Sequence, residues 1–162
     1  IRQAAIVHAT GSGGTQAGLN AGVLMHKLPA DVISYAVCDD AAYFNDKAQQ
    51  DWQALRASTP GLPAEPIKTV TNDHFIGPGY GRADQAVFDT LAQLARLEGI
   101  TLDPVYTGKA FHGMVTDLEH SSFQSDAADI IFVHTGGVFG IFPHADALQT
   151  SLQRVQAVNT PH

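Results

Sequence analysis

The segment Ala9-Thr10-Gly11-Ser12-Gly13-Gly14-Thr15-Gln16-Ala17-Gly18 lies between an apolar run at residues 4–9 and a helix-compatible run at residues 16–27. This order predicts a buried strand, a glycine-rich turn and a helix start. The first backbone N–H groups of a helix have no partners within the helix, and the helix dipole favours negative charge there. Ser12 and Thr15 add hydroxyl donors at the turn. The segment therefore predicts a binding site for a small phosphorylated ligand.

Two nucleotide-binding motifs share this order of strand, turn and helix. The dinucleotide fingerprint G-x-G-x-x-G is met at Gly11 and Gly13, but Gln16 stands in place of its third glycine. Asp39-Asp40 does lie where the ribose-binding acid of such a site is expected. A Walker loop ends in Gly-Lys-Ser/Thr, and no lysine precedes Lys27, which argues against that motif. An ordinary strand–helix turn with incidental glycines is the structural alternative.

Composition limits the classes of function. The chain has 162 residues, 44% of them hydrophobic, which fits a single globular domain over residues 1–162. With 9 basic and 16 acidic residues, the net charge is −7 when the histidines are neutral. No cluster of Lys and Arg is present, so the sequence predicts no nucleic-acid partner. No apolar run approaches the ~20 residues of a membrane span, so no membrane partner is predicted either.

Cys38 is the only cysteine, which rules out an internal disulfide and favours a reducing compartment. We take this compartment to be the cytoplasm, with an organelle as the alternative. Cys38 ends an apolar run and is predicted to be a buried structural thiol, not a nucleophile. Because the chain begins at Ile1 without an initiator methionine, we expect a fragment or a processed chain.

Apolar strands alternate with helical patterns along the chain. The strand-like runs lie at residues 4–9, 31–38 and 129–134. The helical runs lie at residues 16–27, 41–57, 83–97, 106–118 and 145–158. The run Ile130 to Val133 shows no polar alternation and is expected to be buried on both faces, as in a covered parallel sheet. The sequence therefore predicts an α/β fold of three layers, a parallel sheet with flanking helices.

Polar and glycine-rich segments follow two of the predicted strands. Residues 11–15 follow the first strand, and His134-Thr135-Gly136-Gly137 follows the last. Ligands of parallel sheets bind outside the carboxyl ends of the strands, so these segments are expected to face one crevice. Tyr80 and Tyr106 lie in two further loops. Each tyrosine is a candidate to bind a substrate or to move a proton there, with a purely structural role as the alternative.

Four motifs occur in a fixed order. They are GSGGTQAG at residues 11–18, GPGYG at 77–81, LDPVYTGKAFHG at 102–113 and FVHTGG at 132–137. Together they resemble the D-cysteine desulfhydrase and 1-aminocyclopropane-1-carboxylate deaminase family, which are pyridoxal-phosphate enzymes of fold type II, the tryptophan-synthase-β type. The resemblance extends over about residues 4–142. It implies that this chain is the C-terminal part of the large cofactor-binding domain. It also implies that the N-terminal half, with the lysine that binds the cofactor covalently, is absent.

The resemblance assigns roles to individual residues. It implies that the cofactor, pyridoxal 5'-phosphate, is bound by Ser12, Gly13, Gly14, Thr15, Thr107 and Thr135. The first four would cradle the phosphate, and Thr135 would face the pyridine nitrogen. Tyr80 and Tyr106 would be the catalytic residues. Deaminase members carry Glu and Leu at the places of Thr107 and Thr135, so both departures point away from cyclopropane ring opening.

The resemblance also implies a reaction for the whole enzyme, which is the conversion of D-cysteine to pyruvate, hydrogen sulfide and ammonia by a homodimer. A deaminase or another β-eliminating enzyme for a small amino acid is one alternative, and a non-catalytic phosphate-binding remnant is another. The chain alone is expected to be inactive, because no residue among Lys27, Lys47, Lys68 and Lys109 occupies the covalent position. Lys109 is predicted to form an ion pair or a cap at a helix start. The histidines show no metal-ligand spacing, so no metal is predicted.

Overall fold

The computed structural model describes residues 2–158. Its strands are β1 (Ala4–Thr10), β2 (Ala30–Ala36), β3 (Val70–Asn72) and β4 (Asp129–Phe132). Its α-helices are α1 (Gly14–Met25), α2 (Ala41–Ser58), α3 (Gln85–Glu98), α4 (Thr107–Glu119) and α5 (Ala145–Val158), and a 3-10 helix covers Val138–His144. No helix within the described residues is long and apolar enough to cross a membrane.

The strands form one parallel sheet in the order β3-β2-β1-β4. β1 lies inside the sheet, where Val7 pairs with Ile33 of β2 on one side and with Phe132 of β4 on the other. The turn that follows β1 therefore opens in the middle of the carboxyl edge of the sheet. This position brings residues 11–15 next to the segments that follow both neighbouring strands.

Helices cover both faces of the sheet. Side chains alternate along a strand, so β1 and β2 contribute to both faces. On one face, Val7, Ile33 and Tyr35 pack with Ala110 and Met114 of α4. α1 and α2 pack against the sheet and each other, α3 packs on α4, and α5 packs on α3. The predicted α/β fold, with a parallel sheet between helical layers, is confirmed.

The layer of α1 and α2 has a core of its own. Ala21 of α1 and Trp52 of α2 are buried in it, and the Trp52 indole N–H donates to the Glu65 carbonyl at 2.8 Å. α2 begins at Ala41, where the predicted helical run begins. The Asp40 carboxylate caps this helix by accepting the N–H of Tyr43 at 2.8 Å. This layer holds the segment that leaves the carboxyl end of β2.

A neutral histidine lies inside the sheet. His8 of β1 is fully buried, its Nδ1 donates to the Ala9 carbonyl at 2.9 Å, and its Nε2 accepts from the Ser34 hydroxyl at 2.8 Å. Alternation along the strands places His8 and Ser34 on the face opposite to Val7 and Tyr35. Burial lowers the pKa of His8 from its ordinary value of 6.5 to about 4. The imidazole is therefore uncharged at physiological pH.

The strands differ from the sequence-based prediction in two respects. β3 was not predicted, because only three residues pair with β2 and a run of that length carries no periodicity. The expectation that Ile130 to Val133 is buried on both faces is wrong, since Ile130 is 38% and Ile131 is 52% exposed. Within the described residues, β4 pairs only with β1 and forms an edge of the sheet. An edge strand lacks the second neighbour that would help to cover its side chains.

Candidate active site

A crevice of about 650 Å³ opens at the carboxyl ends of β1 and β2. It is lined by Ala9, Gly11, Ser12, Thr15, Cys38, Asp39, Tyr80, Tyr106, Thr135, Gly136 and Gly137. These residues come from segments that are distant in sequence, as expected where the loops of a parallel sheet converge. The residues of the first segment, 11–15, are called the glycine wall below. Tyr80 and Tyr106, on other elements, are called the tyrosine wall.

The glycine wall presents backbone donors. Gly13 takes the left-handed conformation, with φ of 84°, at the residue before α1, and no side chain caps the helix start. The first-turn N–H groups of α1 therefore keep their capacity to bind an anion. Ser12 and Thr15 line the crevice, while Gly13 and Gly14 shape the turn through their backbone. A Cβ added at Gly14 would meet no atom within 4 Å. Donor groups and open space together fit a phosphate group.

The tyrosine wall is a hydrogen-bonded pair. The hydroxyl groups of Tyr80 and Tyr106 bond to each other, and the two rings meet edge to face with centroids 5.9 Å apart. Tyr80 is 60% exposed and lines the crevice together with Tyr106. The hydrogen bond to Tyr80, in which Tyr106 is the donor, raises the pKa of Tyr106 to about 12, helped by partial burial. Tyr106 therefore keeps its proton at neutral pH and donates it to the Tyr80 oxygen.

Asp103 fixes the position of Tyr106 at the start of α4. One carboxylate oxygen of Asp103 accepts the N–H groups of Val105 and Tyr106, at 2.9 and 2.7 Å. The other accepts both the N–H and the hydroxyl of Thr107, at 2.8 and 2.6 Å. The glycine wall meets this arrangement at Gly11, where an added Cβ would lie 2.9 Å from a ring carbon of Tyr106. The two walls are therefore in direct contact.

Thr107 does not reach the crevice. Its side chain is fully buried, and its hydroxyl both donates to the Asp103 carboxylate and accepts the Asp103 N–H, at 2.6 and 3.1 Å. The structure thus shows the Thr107 side chain buried at the start of α4 and bonded to Asp103. The contact with a cofactor that the resemblance implies stays a prediction.

Thr135 lies on the third side of the crevice, together with Gly136 and Gly137. His134 shapes this loop, because its Nδ1 accepts the N–H of Gly136 at 3.1 Å. An accepting Nδ1 leaves the proton on Nε2, which lies 3.0 Å from the Thr101 carbonyl and donates to it. The side chain of His134 therefore ties the Thr135 loop to the segment before α4.

Cys38 and Asp39 also line the crevice, and neither was predicted as a site residue. The expectation of a buried thiol is wrong, because Cys38 is only half-buried, with Sγ 3.6 Å from the Gly11 carbonyl. Desolvation raises the pKa of the Cys38 thiol, which therefore remains protonated at neutral pH. The signal that could have found both residues is their position just after a parallel strand.

Lys109 forms neither the ion pair nor the helix cap that the sequence predicted. Its Nζ donates to the backbone carbonyls of Ile76, Gly79 and Val37, at 2.7, 2.8 and 3.4 Å. The side chain is 1% exposed, and desolvation lowers the pKa of its ammonium group. Among residues 2–158, no group of three or more His, Cys, Asp or Glu side chains could hold a metal ion.

A parallel sheet with a glycine-rich turn and a helix N-terminus at its carboxyl edge is typical of α/β domains that bind phosphorylated small molecules. The model of the pyridoxal-phosphate dependent enzyme family matches residues 2–136. The chain belongs to this family, whose cofactor is pyridoxal phosphate.

Three relatives illustrate the similarity. The chain is 38% identical over 139 residues to a D-cysteine desulfhydrase of Yersinia pestis, and the match covers 86% of this chain and 42% of that protein. It is 34% identical over 143 residues to a mitochondrial bifunctional D-cysteine desulfhydrase/1-aminocyclopropane-1-carboxylate deaminase of Arabidopsis thaliana, covering 88% and 34%. A crystal structure of an ACC deaminase homologue matches with a TM-score of 0.77 at 32% identity, covering 91% and 44%. The chain spans less than half the length of these relatives.

Proposed function

We propose that this chain supplies the phosphate cradle and two active-site tyrosines of a pyridoxal-phosphate-dependent lyase of the D-cysteine desulfhydrase type. The observation that carries the proposal is the crevice itself, which collects Ser12, Thr15, Tyr80, Tyr106 and Thr135 at the carboxyl edge of the sheet. Membership of the pyridoxal-phosphate family and the D-cysteine desulfhydrase relatives support it. For the full-length enzyme we propose a homodimer that acts on D-cysteine.

The glycine wall would hold the cofactor by its phosphate. The hydroxyls of Ser12 and Thr15 and the first N–H groups of α1 are the donors available to it. Bound pyridoxal phosphate supplies an electron sink that stabilises negative charge on the α-carbon of an amino acid. Thr135 would offer its hydroxyl to the pyridine nitrogen, and a hydroxyl, unlike a carboxylate, does not favour protonation of that nitrogen. Such an environment suits an elimination in which the leaving group departs quickly.

The tyrosine wall would hold and orient the substrate. Since the pKa of Tyr106 is raised to about 12, its hydroxyl is a donor and not a base at neutral pH. In exchange for its bond to Tyr80, this hydroxyl can therefore donate to a carboxylate or to a departing sulfur of the substrate. Tyr80, mostly exposed above it, can close the open side of the crevice.

Two alternatives have some support. The bifunctional Arabidopsis relative and the deaminase homologue favour a deaminase, whereas Thr107 and Thr135 replace the Glu and Leu of deaminases. The second alternative, a non-catalytic remnant, is supported by the positions of the lysines, because no lysine within residues 2–158 lines the crevice. We propose that a lysine from the part of the longer relatives that this chain does not match forms the covalent link. The chain alone should then bind the cofactor without a covalent bond and release no sulfide.

The test is a titration of the chain with pyridoxal phosphate and, separately, with inorganic phosphate, followed by amide NMR shifts. Shifts are expected at residues 12–16. The double substitution Ser12→Ala with Thr15→Ala should weaken binding about tenfold by removing two hydroxyl donors to a charged ligand. A matched control is Ser58→Ala with Thr150→Ala, whose hydroxyls bond to backbone carbonyls outside the crevice.

Shifts confined to other residues would overturn the proposed cradle. Borohydride reduction of the mixture should leave no stoichiometric adduct at a single lysine. Such an adduct, together with sulfide release from D-cysteine, would show that the chain carries a complete active site.

A further inference from the structure

Lys109 is a buried cation with an unusual set of partners. It lies on α4, three residues after Tyr106, and only 1% of it is exposed. Its ammonium group has three N–H donors, and the carbonyls of Ile76, Gly79 and Val37 lie 2.7, 2.8 and 3.4 Å from Nζ. Each donor can therefore be matched to one backbone carbonyl. A lysine on the surface would satisfy these donors with water.

No ion pair within residues 2–158 includes Lys109. Asp84 and Asp103 attract its charge only at longer range, and desolvation still lowers the pKa of the ammonium. Burying a charge without a paired carboxylate costs free energy unless its hydrogen bonds are complete. The three carbonyls therefore stabilise the buried ammonium group. The position of the Lys109 side chain and the positions of these carbonyls are coupled.

The carbonyls belong to two segments that form the crevice. Val37 directly precedes Cys38 and Asp39 at the end of β2, while Ile76 and Gly79 belong to the loop that carries Tyr80. That loop has no regular secondary structure, and Gly77 and Gly79 adopt left-handed φ values of 67° and 117°. Such a loop has little of its own to fix its position. The contacts of Nζ therefore connect the loop to the sheet.

We propose that Lys109 is a positioning residue that ties the loop at residues 76–79 to the end of β2 and thereby holds Tyr80 against Tyr106. A role of these Lys109 hydrogen bonds in catalysis rests on the proposed function, whereas their effect on the position of the loop does not. Lys109 touches neither the reacting groups nor the lining of the crevice. Its hydrogen bonds reach the crevice through three backbone oxygens and the loop that carries Tyr80.

The test compares the wild-type chain with Lys109→Met, which keeps the length of the stem and removes all three donors. Two NMR measurements without any ligand are made. Backbone order parameters of residues 77–81 should fall from about 0.85 to below about 0.6. The Tyr106 hydroxyl, with its pKa of about 12, should be protonated at about pH 11 in the wild type and largely ionised in the variant. Tyr80→Phe provides the reference signal for a Tyr106 that has lost its partner.

Lys68→Met is the matched control, since Lys68 pairs with Asp31 at the amino end of β2 and is mostly exposed. It should change neither measurement. If Lys109→Met lowers global stability while the order parameters and the Tyr106 signal of the folded protein stay unchanged, the proposal is wrong and Lys109 is only a core residue.

If Lys109→Met does not fold, a measurement on the wild-type chain can still refute the proposal. The 15Nζ signal of Lys109 should exchange its protons at least about tenfold more slowly than that of Lys68, because its donors are buried and bonded. Equal exchange rates for the two lysines would overturn the tie. Because no ligand is present in these experiments, a failure of the cofactor proposal leaves their outcome unaffected.

Discussion

The glycine wall comes from one continuous segment, whereas the tyrosine wall joins two residues that are 26 positions apart in the sequence. The glycine wall offers backbone N–H groups, which the strand–turn–helix order creates by itself. The tyrosine wall offers side-chain hydroxyls, and their place depends on Asp103 and Lys109 behind them. A ligand site can thus combine a part that local sequence builds with a part that only tertiary contacts build.

The buried groups behind the two walls differ in charge. His8 lies in the strand that leads into the glycine wall and is neutral, since burial lowers its pKa to about 4. Lys109, behind the tyrosine wall, keeps three carbonyls as acceptors for its ammonium. Acid, which protonates His8, should therefore perturb the glycine wall before the tyrosine wall. A substitution that removes a buried donor or acceptor, such as Lys109 or Asp103, should perturb the tyrosine wall before the glycine wall.

The largest effect is expected from Asp103→Ala, which should lower the free energy of unfolding by about 4 kcal/mol, because several buried N–H groups and the Thr107 hydroxyl lose their acceptor. Urea unfolding measures the loss, and NMR signals of Tyr106 should move while those of residues 12–16 stay. Asp126→Ala, at an exposed position, is the control. Equal shifts in both walls would break the distinction between them.

Acid should produce the next largest effect, through His8. The pKa of His8 is lowered from 6.5 to about 4 on folding, so the unfolded chain binds the proton more tightly. This contribution to stability is complete above pH 6.5 and is lost as pH falls towards 4, amounting to about 3 kcal/mol. The measurement is the pH dependence of urea unfolding for the wild type and His8→Gln. The slope in this window should flatten in His8→Gln but persist in the control His26→Gln, and an unchanged slope in both would refute the role of His8.

A smaller effect is expected from Gly11→Ala, which should cost about 2 kcal/mol, because its Cβ would lie 2.9 Å from the Tyr106 ring and 3.1 Å from Val37. Gly22→Ala is the control, since a Cβ there meets nothing within 4 Å, and it should raise stability by about 0.5–1 kcal/mol in the middle of α1. Thermal unfolding compares the two. A neutral Gly11→Ala would mean that the walls do not constrain each other.

The smallest effect on stability is expected from Tyr80→Phe, within about 0.5 kcal/mol, because Tyr80 is mostly exposed. The pKa of Tyr106 should nevertheless fall from about 12 towards its ordinary value of 10, since its hydrogen bond is the main cause of the rise. Alkaline titration of labelled tyrosine by NMR measures it, with Tyr43→Phe as the exposed control. If the pKa of Tyr106 stays near 12 in Tyr80→Phe, the hydrogen bond with Tyr80 is not what raises it.

The sequence could predict what depends on neighbouring residues. The glycine turn, the cap at Asp40 and the end of α3 at Gly99, with φ of 68°, follow from local conformational preferences. Periodicity located most helices and the longer strands to within about two residues at most ends, a margin typical of helix boundaries. The three residues of β3 are stabilised by pairing with β2, and no local pattern marks them.

The rest of the site depends on contacts over long separations. Lys109 bonds to carbonyls 30, 33 and 72 positions away, and every residue has a carbonyl, so no motif indicates which ones it will meet. Thr107 is different, because its partner Asp103 is only four positions away and the bond turns its side chain inwards. The apolar run before Cys38 predicted a buried thiol. Cys38 instead lies just after the carboxyl end of β2, where its side chain lines the crevice.

The burial of Trp52 has an optical consequence. It is the only tryptophan in the chain, and it lies in the core of α1 and α2, bonded to Glu65 and outside the lining of the crevice. Its fluorescence should therefore follow the melting of that layer and remain constant when inorganic phosphate, which does not absorb near-UV light, enters the crevice. Tyr80 and Tyr106 absorb at shorter wavelengths beside the ligand. Two spectral channels of one sample can thus separate unfolding from occupancy, without any added dye.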